Sequence, residues 1–311
     1  MKAMRDVWGD TLVELGNTNP NVLVLDADLA NSTKADKFAK AHPERFLQMG
    51  IAEQNFVGAA VGLASVGYIP WLSSFAVFFT HRALDPIRML VAQTHANVKL
   101  GAAYAGVLTG LTGKTHQDVE DLAIMRSMPD MTVLAPADRV ECEAAMRWAT
   151  GYRGPVYLRL ARDVCSDVFD SDYQFTPGKT YSLKEGRDVL LVSTGPQSSR
   201  CKEAAELLES EGISAGVLHV PSIKPLNVEE LIRACEPFSL VVTIEEHNIH
   251  GGLGALVAEI LSEHSPRRVI RFGIEDRWGE SAPNEYLLDL FHLSPARLSE
   301  RVKQAVQGTN E

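Results

Sequence analysis

Glu53 heads a run of small residues, MGIAEQNFVGAAVG, and is the first candidate for chemistry. Gly50, Ala52, Gly58, Ala59, Ala60 and Gly62 allow other backbone to approach closely, so the carboxyl is expected in a dry setting that suits acid–base work. The plainer reading is a helix-start charge complementing the macrodipole. Phe75, Phe78 and Phe79 follow in SSFAVFFTHR. Aromatics at this spacing commonly fill a core, yet Ser73 and Ser74 before them and His81 after them mark one edge as polar. His116 lies in GLTGKTHQD, flanked by Gly, Thr and Asp118, a setting that suits a proton carrier better than a merely exposed histidine. Arg159 and Arg162 end the run PVYLRLARD, where an arginine serves either as an ion-pair partner or as a phosphate grip. HNIHGGLG, residues 247–254, has the composition of a phosphate-cradling turn. Its spacing is not G-x-G-x-x-G, and a tight strand-to-helix turn explains it more simply. The nine histidines include no HExxH and no paired metal spacing, so no metal site is expected on this chain.

These residues need a scaffold, and the chain alternates strand-like and helix-like segments. NVLVLDAD (21–28), YIPWLSS (68–74), ANVKLGAAY (96–104), MTVLAP and PVYLRLA read as buried strands. Helical patterns cover 55–67, Val77 to about Thr94, the stretch near 118–128, and Asp138 to about Thr150. Such alternation predicts an α/β fold, a mostly parallel twisted sheet with helices on both faces. Residues 166–186, rich in Pro, Gly, Asp and Ser, lack a period and read as a linker. A second alternating unit follows: DVLLVST, a helix over 198–211, SAGVLHV, a helix near 227–234, LVVTIEE, a helix from Gly252, RRVIRFGI, and a helix after Pro295. Two domains are therefore expected, 1–165 and 187–311. Open α/β sheets bind ligands beyond the carboxyl ends of their strands, which directs attention to the loops after Asp28, Ser74, Tyr104 and Leu160.

Composition sets the outer bounds. The chain has 311 residues, 45% hydrophobic and 23% charged, enough for ample core. Its net charge of −10 argues against nucleic acid or an anionic membrane as partner. Four scattered cysteines without a CxxC pair suit a reducing cytoplasmic location. The start, MKAMRDVWGD, carries Arg5 and Asp6 where a signal peptide would need an apolar core, so none is expected, and no uninterrupted apolar run is long enough to span a membrane.

Taken in order, MGIAEQNFVGAAVGLASVGYIPWLSSFAVFFTHRALDPIRML, then GLTGKTHQDVEDLAIMRSMPDMTVLAPAD, then GPVYLRLARD resemble the pyrimidine-binding domain of transketolase. EEHNIHGGLG and FGIEDRWGESA resemble the transketolase C-terminal domain. The resemblance implies thiamine diphosphate as cofactor. Glu53 matches the glutamate that bonds the aminopyrimidine ring nitrogen, a contact that favours the imino tautomer and so activates the thiazolium carbon. Phe75 and Phe78 match the aromatics on the pyrimidine. His81 stands where many relatives have tyrosine, and Asp28 matches an aspartate near the cofactor. Arg5, Ser32 and Arg162 fall where transketolases grip a sugar phosphate, and His116 matches a histidine that meets sugar hydroxyls. Tyr104 replaces a histidine of that channel, and Thr112 replaces an aspartate that reads a hydroxyl. The implied reaction moves a two-carbon ketol unit from a ketose to an aldose, with an anionic sugar outside the usual pentose phosphate pair. Family members hold Mg2+ and the diphosphate through a GDG motif followed by Asn, which this sequence lacks. It therefore resembles the C-terminal subunit of a split transketolase, expected in an α2β2 heterotetramer with an N-terminal subunit that carries GDG…N. The rival readings are the beta subunit of a 2-oxo-acid dehydrogenase and a nucleotide-binding regulatory module built on the turn at 251–254.

Overall fold

The computed structural model describes residues 3–162 and 164–308. Its strands, in chain order, are β1 (Val22–Asp26), β2 (Phe46–Gln48), β3 (Ile69–Phe75), β4 (Lys99–Ala103), β5 (Thr132–Leu134), β6 (Val156–Leu160), β7 (Tyr181–Lys184), β8 (Val189–Ser193), β9 (Ala215–His219), β10 (Ser222–Lys224), β11 (Leu240–Asn248) and β12 (Arg268–Ile274). They form two sheets, ordered β10-β5-β6-β4-β3-β1-β2 and β12-β11-β8-β9-β7. Every pairing is parallel except β10 with β5 and β7 with β9, both at sheet edges. The expected α/β architecture with mostly parallel sheets is thus the observed one.

Two details depart from the expected division. Residues 181–184, within the segment read as linker, form the edge strand β7 of the second sheet. Residues 222–224, within the second unit, cross over to pair with β5 of the first sheet. Strand–strand hydrogen bonds decide both, and the local composition carries little trace of them.

Alternation along the strands builds the core of the first sheet on two faces. Val22, Val24, Leu158 and Leu160 pack with Met4, Trp8 and Leu12 of the helix Met4–Thr18. Leu23, Leu25 and Tyr157 pack on the other face with Phe56, Val57 and Phe79. Successive side chains of a strand point to opposite faces, so a strand buried on both reads as one continuous apolar run. The helix Met4–Thr18 was not expected from the sequence, although Met4, Trp8, Leu12 and Leu15 are buried at helical spacing.

The helix expected from Val77 to Thr94 is broken into Ala76–His81, Leu84–Pro86 and a wider π-turn, Ile87–Ala92. Pro86 has no N–H to give to an α-helical ladder, which accounts for a break at this point. The helix expected near 118–128 begins at Asp121, leaving Asp118 in the preceding loop. No helix among the described residues is long and apolar enough to cross a membrane.

Candidate active site

Most of the expected site residues meet beyond the carboxyl ends of β1, β3, β4 and β6. The contacts form one row. Glu53, the first residue of the helix Glu53–Ser65, is buried with 4% exposure. Its Oε1 accepts a hydrogen bond from Arg82 Nη1 at 2.8 Å. The Arg82 guanidinium carbon lies 3.8 Å from the Phe78 ring centroid. Phe78 stacks on Phe75 at 5.7 Å, and Phe75 stacks on Tyr104 at 4.1 Å. The Tyr104 hydroxyl accepts from Arg5 Nη1 at 2.8 Å, and the Arg162 guanidinium lies 5.3 Å from the Tyr104 ring. His116 sets its ring edge-on to both Phe75 and Phe78, at 6.0 and 5.4 Å, and its Nδ1 is 2.9 Å from the Thr115 hydroxyl.

The row has a carboxyl end and a cationic end. At the carboxyl end a cavity of about 460 Å³ is lined by Glu53, His81 and Arg82 together with Ile51 and Ala52. At the cationic end the Nε atoms of Arg5 and Arg162 are buried without a partner among the described residues. Buried donors of this kind call for an acceptor. Arg162 also lines a cavity of about 640 Å³ bordered by Leu111, Val164 and Asn284.

Some expected residues stand apart from this row. Ser32 contributes its backbone carbonyl to Arg5, at 3.3 Å. Asp28 sits exposed in a left-handed turn (φ 64°) after β1, its N–H bonded to Gln48. The Thr112 hydroxyl turns back onto Thr109, at 2.5 Å from its hydroxyl and 3.2 Å from its carbonyl. His81 points to Glu120, with Nε2 to Oε2 at 3.1 Å.

The fold also gathers a group that no spacing in the sequence suggested. His81, Asp118 and Glu120 bring potential ligand atoms within 4.8 Å of one another. Both Asp118 oxygens are engaged, one by the Thr80 hydroxyl at 2.6 Å and the other by the Glu120 N–H at 3.0 Å. Burial, aided by the nearby charge of Asp121, pushes the Asp118 carboxyl up to about 6.

Arg159 serves the fold. Its side chain lies on the buried face of β6 and makes a two-pronged ion pair with Asp121, Nε to Oδ2 at 2.8 Å and Nη2 to Oδ1 at 3.2 Å. Nη2 also donates to the Glu246 carbonyl at 2.9 Å. Position in the strand separates the two arginines: Arg159 lies within β6, and Arg162 lies two residues beyond its end, beside Tyr104.

The turn at 247–254 does not cradle a phosphate. Glu245 fills that position with its own carboxylate, which accepts the N–H groups of Leu253 at 2.7 Å and Gly254 at 2.8 Å. A side chain at Gly252 would sit 2.0 Å from Glu245 Oε2. The anion seat at the start of the helix Leu253–His264 is thus occupied from within, and the reading as a nucleotide-binding module falls.

Arg82, Asp118, Glu120 and Glu246 are the site groups that the sequence reading missed. Arg82 had a visible cue, a cation three residues after the aromatic run in FFTHR. Glu246 had none. It reaches from β11 to accept the N–H groups of Val107 and Leu108, at 2.9 and 3.0 Å, and so pins the loop that carries His116. Gly106 is required there, because φ is +80° and a Cβ would lie 2.1 Å from Glu246 Oε1.

Two mostly parallel α/β units, with a carboxyl, aromatic rings and arginines gathered beyond the strand ends of the first, define the class of fold. Residues 1–166 match the family described as transketolase, pyrimidine binding domain, and residues 178–298 match transketolase, C-terminal domain. The chain belongs to the transketolase family. It is 40% identical over 309 residues to a Methanocaldococcus jannaschii chain provisionally designated transketolase C-terminal section, covering 98% of this chain and 97% of that one. It is 35% identical over 307 residues to the 6-deoxy-6-sulfo-D-fructose transketolase subunit SqwH of Clostridium sp. (strain MSTE9), covering 99% and 95%. A split-gene transketolase solved as an inactive β4 tetramer superposes with a TM-score of 0.91 at 44% identity, covering all of both chains.

Proposed function

We propose that the chain is the C-terminal subunit of a thiamine-diphosphate-dependent transketolase that moves a two-carbon ketol unit from a ketose to an aldose. The observation that carries this reading is the continuous row from Glu53 through Phe78, Phe75 and Tyr104 to Arg5 and Arg162. The residues fit the cofactor's aminopyrimidine. Phe78 already stacks a flat, hydrogen-bonding cation, and that cation's N–H already meets Glu53, so the pair accepts a planar donor of similar width. The cofactor, when bound, supplies a nucleophilic carbon for making and breaking carbon–carbon bonds.

In this reading Glu53 holds the proton at the ring nitrogen, and burial excludes water that would compete for it. Phe75 and Phe78 fix the plane of the ring. His116, braced by both phenyl rings, carries a proton to or from a sugar hydroxyl. Arg5 and Arg162 bind the anionic end of the sugar, their buried Nε donors supplying charge-assisted bonds. His81 and Asp28 flank the cofactor side in this scheme, His81 at the rim of the cavity beside Glu53. The Mg2+ and the diphosphate belong to a partner chain with GDG…N, and the assembly is α2β2. The relatives described as a subunit and as an inactive β4 tetramer support that division of labour.

The substrate is an anionic sugar other than the usual pentose phosphate pair. Tyr104 stands in the channel with its hydroxyl committed to Arg5, and Thr112 spends its hydroxyl on its own turn, so hydroxyl reading is reduced while the anion grip is kept. The relative named for a sulfo-sugar is consistent with this. Co-expression with a GDG…N partner is expected to give ketol transfer, and the purified chain alone is expected to give none. Transfer by the isolated chain would sink the two-chain reading. Best activity on xylulose 5-phosphate with ribose 5-phosphate would sink the substrate reading.

A further inference from the structure

Arg82 is bound to the two groups on which the cofactor reading depends. Its guanidinium lies over Phe78, 3.8 Å from the ring centroid, and donates to Glu53 Oε1 at 2.8 Å. A guanidinium and an aminopyrimidine share the features that matter here. Both are planar, both stack on a phenyl face, and an aminopyrimidine protonated at its ring nitrogen offers an N–H to a carboxylate as a guanidinium does. They cannot use the same ring and the same oxygen together.

The position of Arg82 lets it yield. It follows the last residue of the helix Ala76–His81, and its side chain is 47% exposed while Glu53 is 4% exposed. The cation can move into water at little cost. The carboxyl cannot, and without Arg82 it would be left as a buried charge with one partner fewer.

We propose that Arg82 is an internal placeholder: in the chain on its own the guanidinium occupies the aminopyrimidine's seat, keeps Glu53 paired, and has to swing aside before a pyrimidine ring can enter. This rests on the assignment of Glu53 and Phe78 as that seat. It adds that the chain opposes its own cofactor. Affinity for the ring is lowered by the strength of the Arg82 contact, because a ligand must first displace it.

The test is a ligand-observed NMR titration of the full chain at pH 6 with 4-amino-2-methylpyrimidine, a probe that carries the ring and nothing else and is partly protonated at its ring nitrogen there. Arg82→Ala is expected to tighten binding about five- to thirtyfold, the strength of a half-exposed ion pair with a ring contact. Arg82→Lys is expected between the two, since it keeps the charge and loses the plane. Arg88→Ala, which removes a nearby charge outside the seat, is expected to match the wild type. Glu53→Gln is expected to abolish binding with either residue at 82. Arg82→Gln, which preserves chain length, serves if Arg82→Ala unfolds. Equal or weaker binding by the Arg82 variants, with Glu53→Gln still abolishing it, overturns the placeholder and leaves the seat standing. Tighter binding by Arg88→Ala to the same degree assigns the effect to net charge and also overturns it. Binding indifferent to Glu53→Gln, or no binding by the Arg82 variants, removes the seat and the placeholder together.

Discussion

Glu53 and Glu245 are both buried glutamates at the approach to a helix, and they do opposite things. Glu245 closes on its own chain: each oxygen receives a backbone N–H from the start of the helix Leu253–His264, with His247 at 3.7 Å. Burial raises its pKa, and the His247 charge and those two N–H groups oppose that rise. Glu53 begins its helix and yet turns away from the backbone, toward a cavity and a cation that is half in water. A buried carboxyl whose partners all come from the backbone is part of the fold. One whose partner is a half-exposed side chain at the edge of a cavity is open to a competing ligand.

The largest effect expected from breaking this comparison is on turnover. Glu53→Gln should lower the rate of the reconstituted enzyme by about a hundredfold or more, because the amide keeps the shape and loses the proton. The unfolding midpoint should hardly move, since the Arg82 pair is half-exposed. Near-normal turnover would remove Glu53 from the chemistry. Glu245→Ala should do the reverse. It leaves two buried N–H groups unpaired and is expected to cost about 3 kcal/mol in urea unfolding. A variant as stable as the wild type would show that the turn does not depend on its carboxyl.

The cationic end sharpens the contrast further. Arg162→Ala is expected to raise the KM for an anionic acceptor about tenfold, and to leave an uncharged acceptor nearly unaffected. An equal rise for both would place Arg162 in general packing. Arg159→Ala, by contrast, breaks the buried pair with Asp121 and should act on stability, with equal effect on every substrate.

The smallest expected effect concerns pH. Asp118 has its carboxyl raised to about 6, first by burial and then by the charge of Asp121. Folding therefore favours the protonated form. Its stabilising contribution is complete below the ordinary carboxylate range and is lost as pH rises through about 6. Asp118→Asn is permanently neutral. Its melting temperature relative to the wild type should thus be more favourable at pH 7.5 than at pH 4.5, by a few degrees. A difference that does not change with pH would mean that Asp118 is ionised throughout.

Much of the fold was legible because buried parallel strands are short, β-branched and separated by helical patterns, as VLVLD and VYLRL show. The edge strands β7 and β10 were not legible. Each is held from one side by an antiparallel neighbour, and neither segment carries a strong apolar pattern of its own. Among the candidate site residues, Glu53, Phe75, Phe78, His116 and Arg162 could be picked out by residue type and neighbours. Which arginine faces the row, and which carboxyl at a glycine-rich turn is already paired, could not be read that way.

The sequence by itself determined the α/β alternation, the family motifs and the residue types of the row, because those depend on local period and on chemistry carried by single side chains. The tertiary structure alone decided that Arg82 lies between Glu53 and Phe78, that Glu245 fills its own anion seat, and that Glu246 of β11 holds the loop bearing His116. Each of these contacts joins residues on different elements, and three-dimensional packing, rather than spacing along the chain, selects the partner.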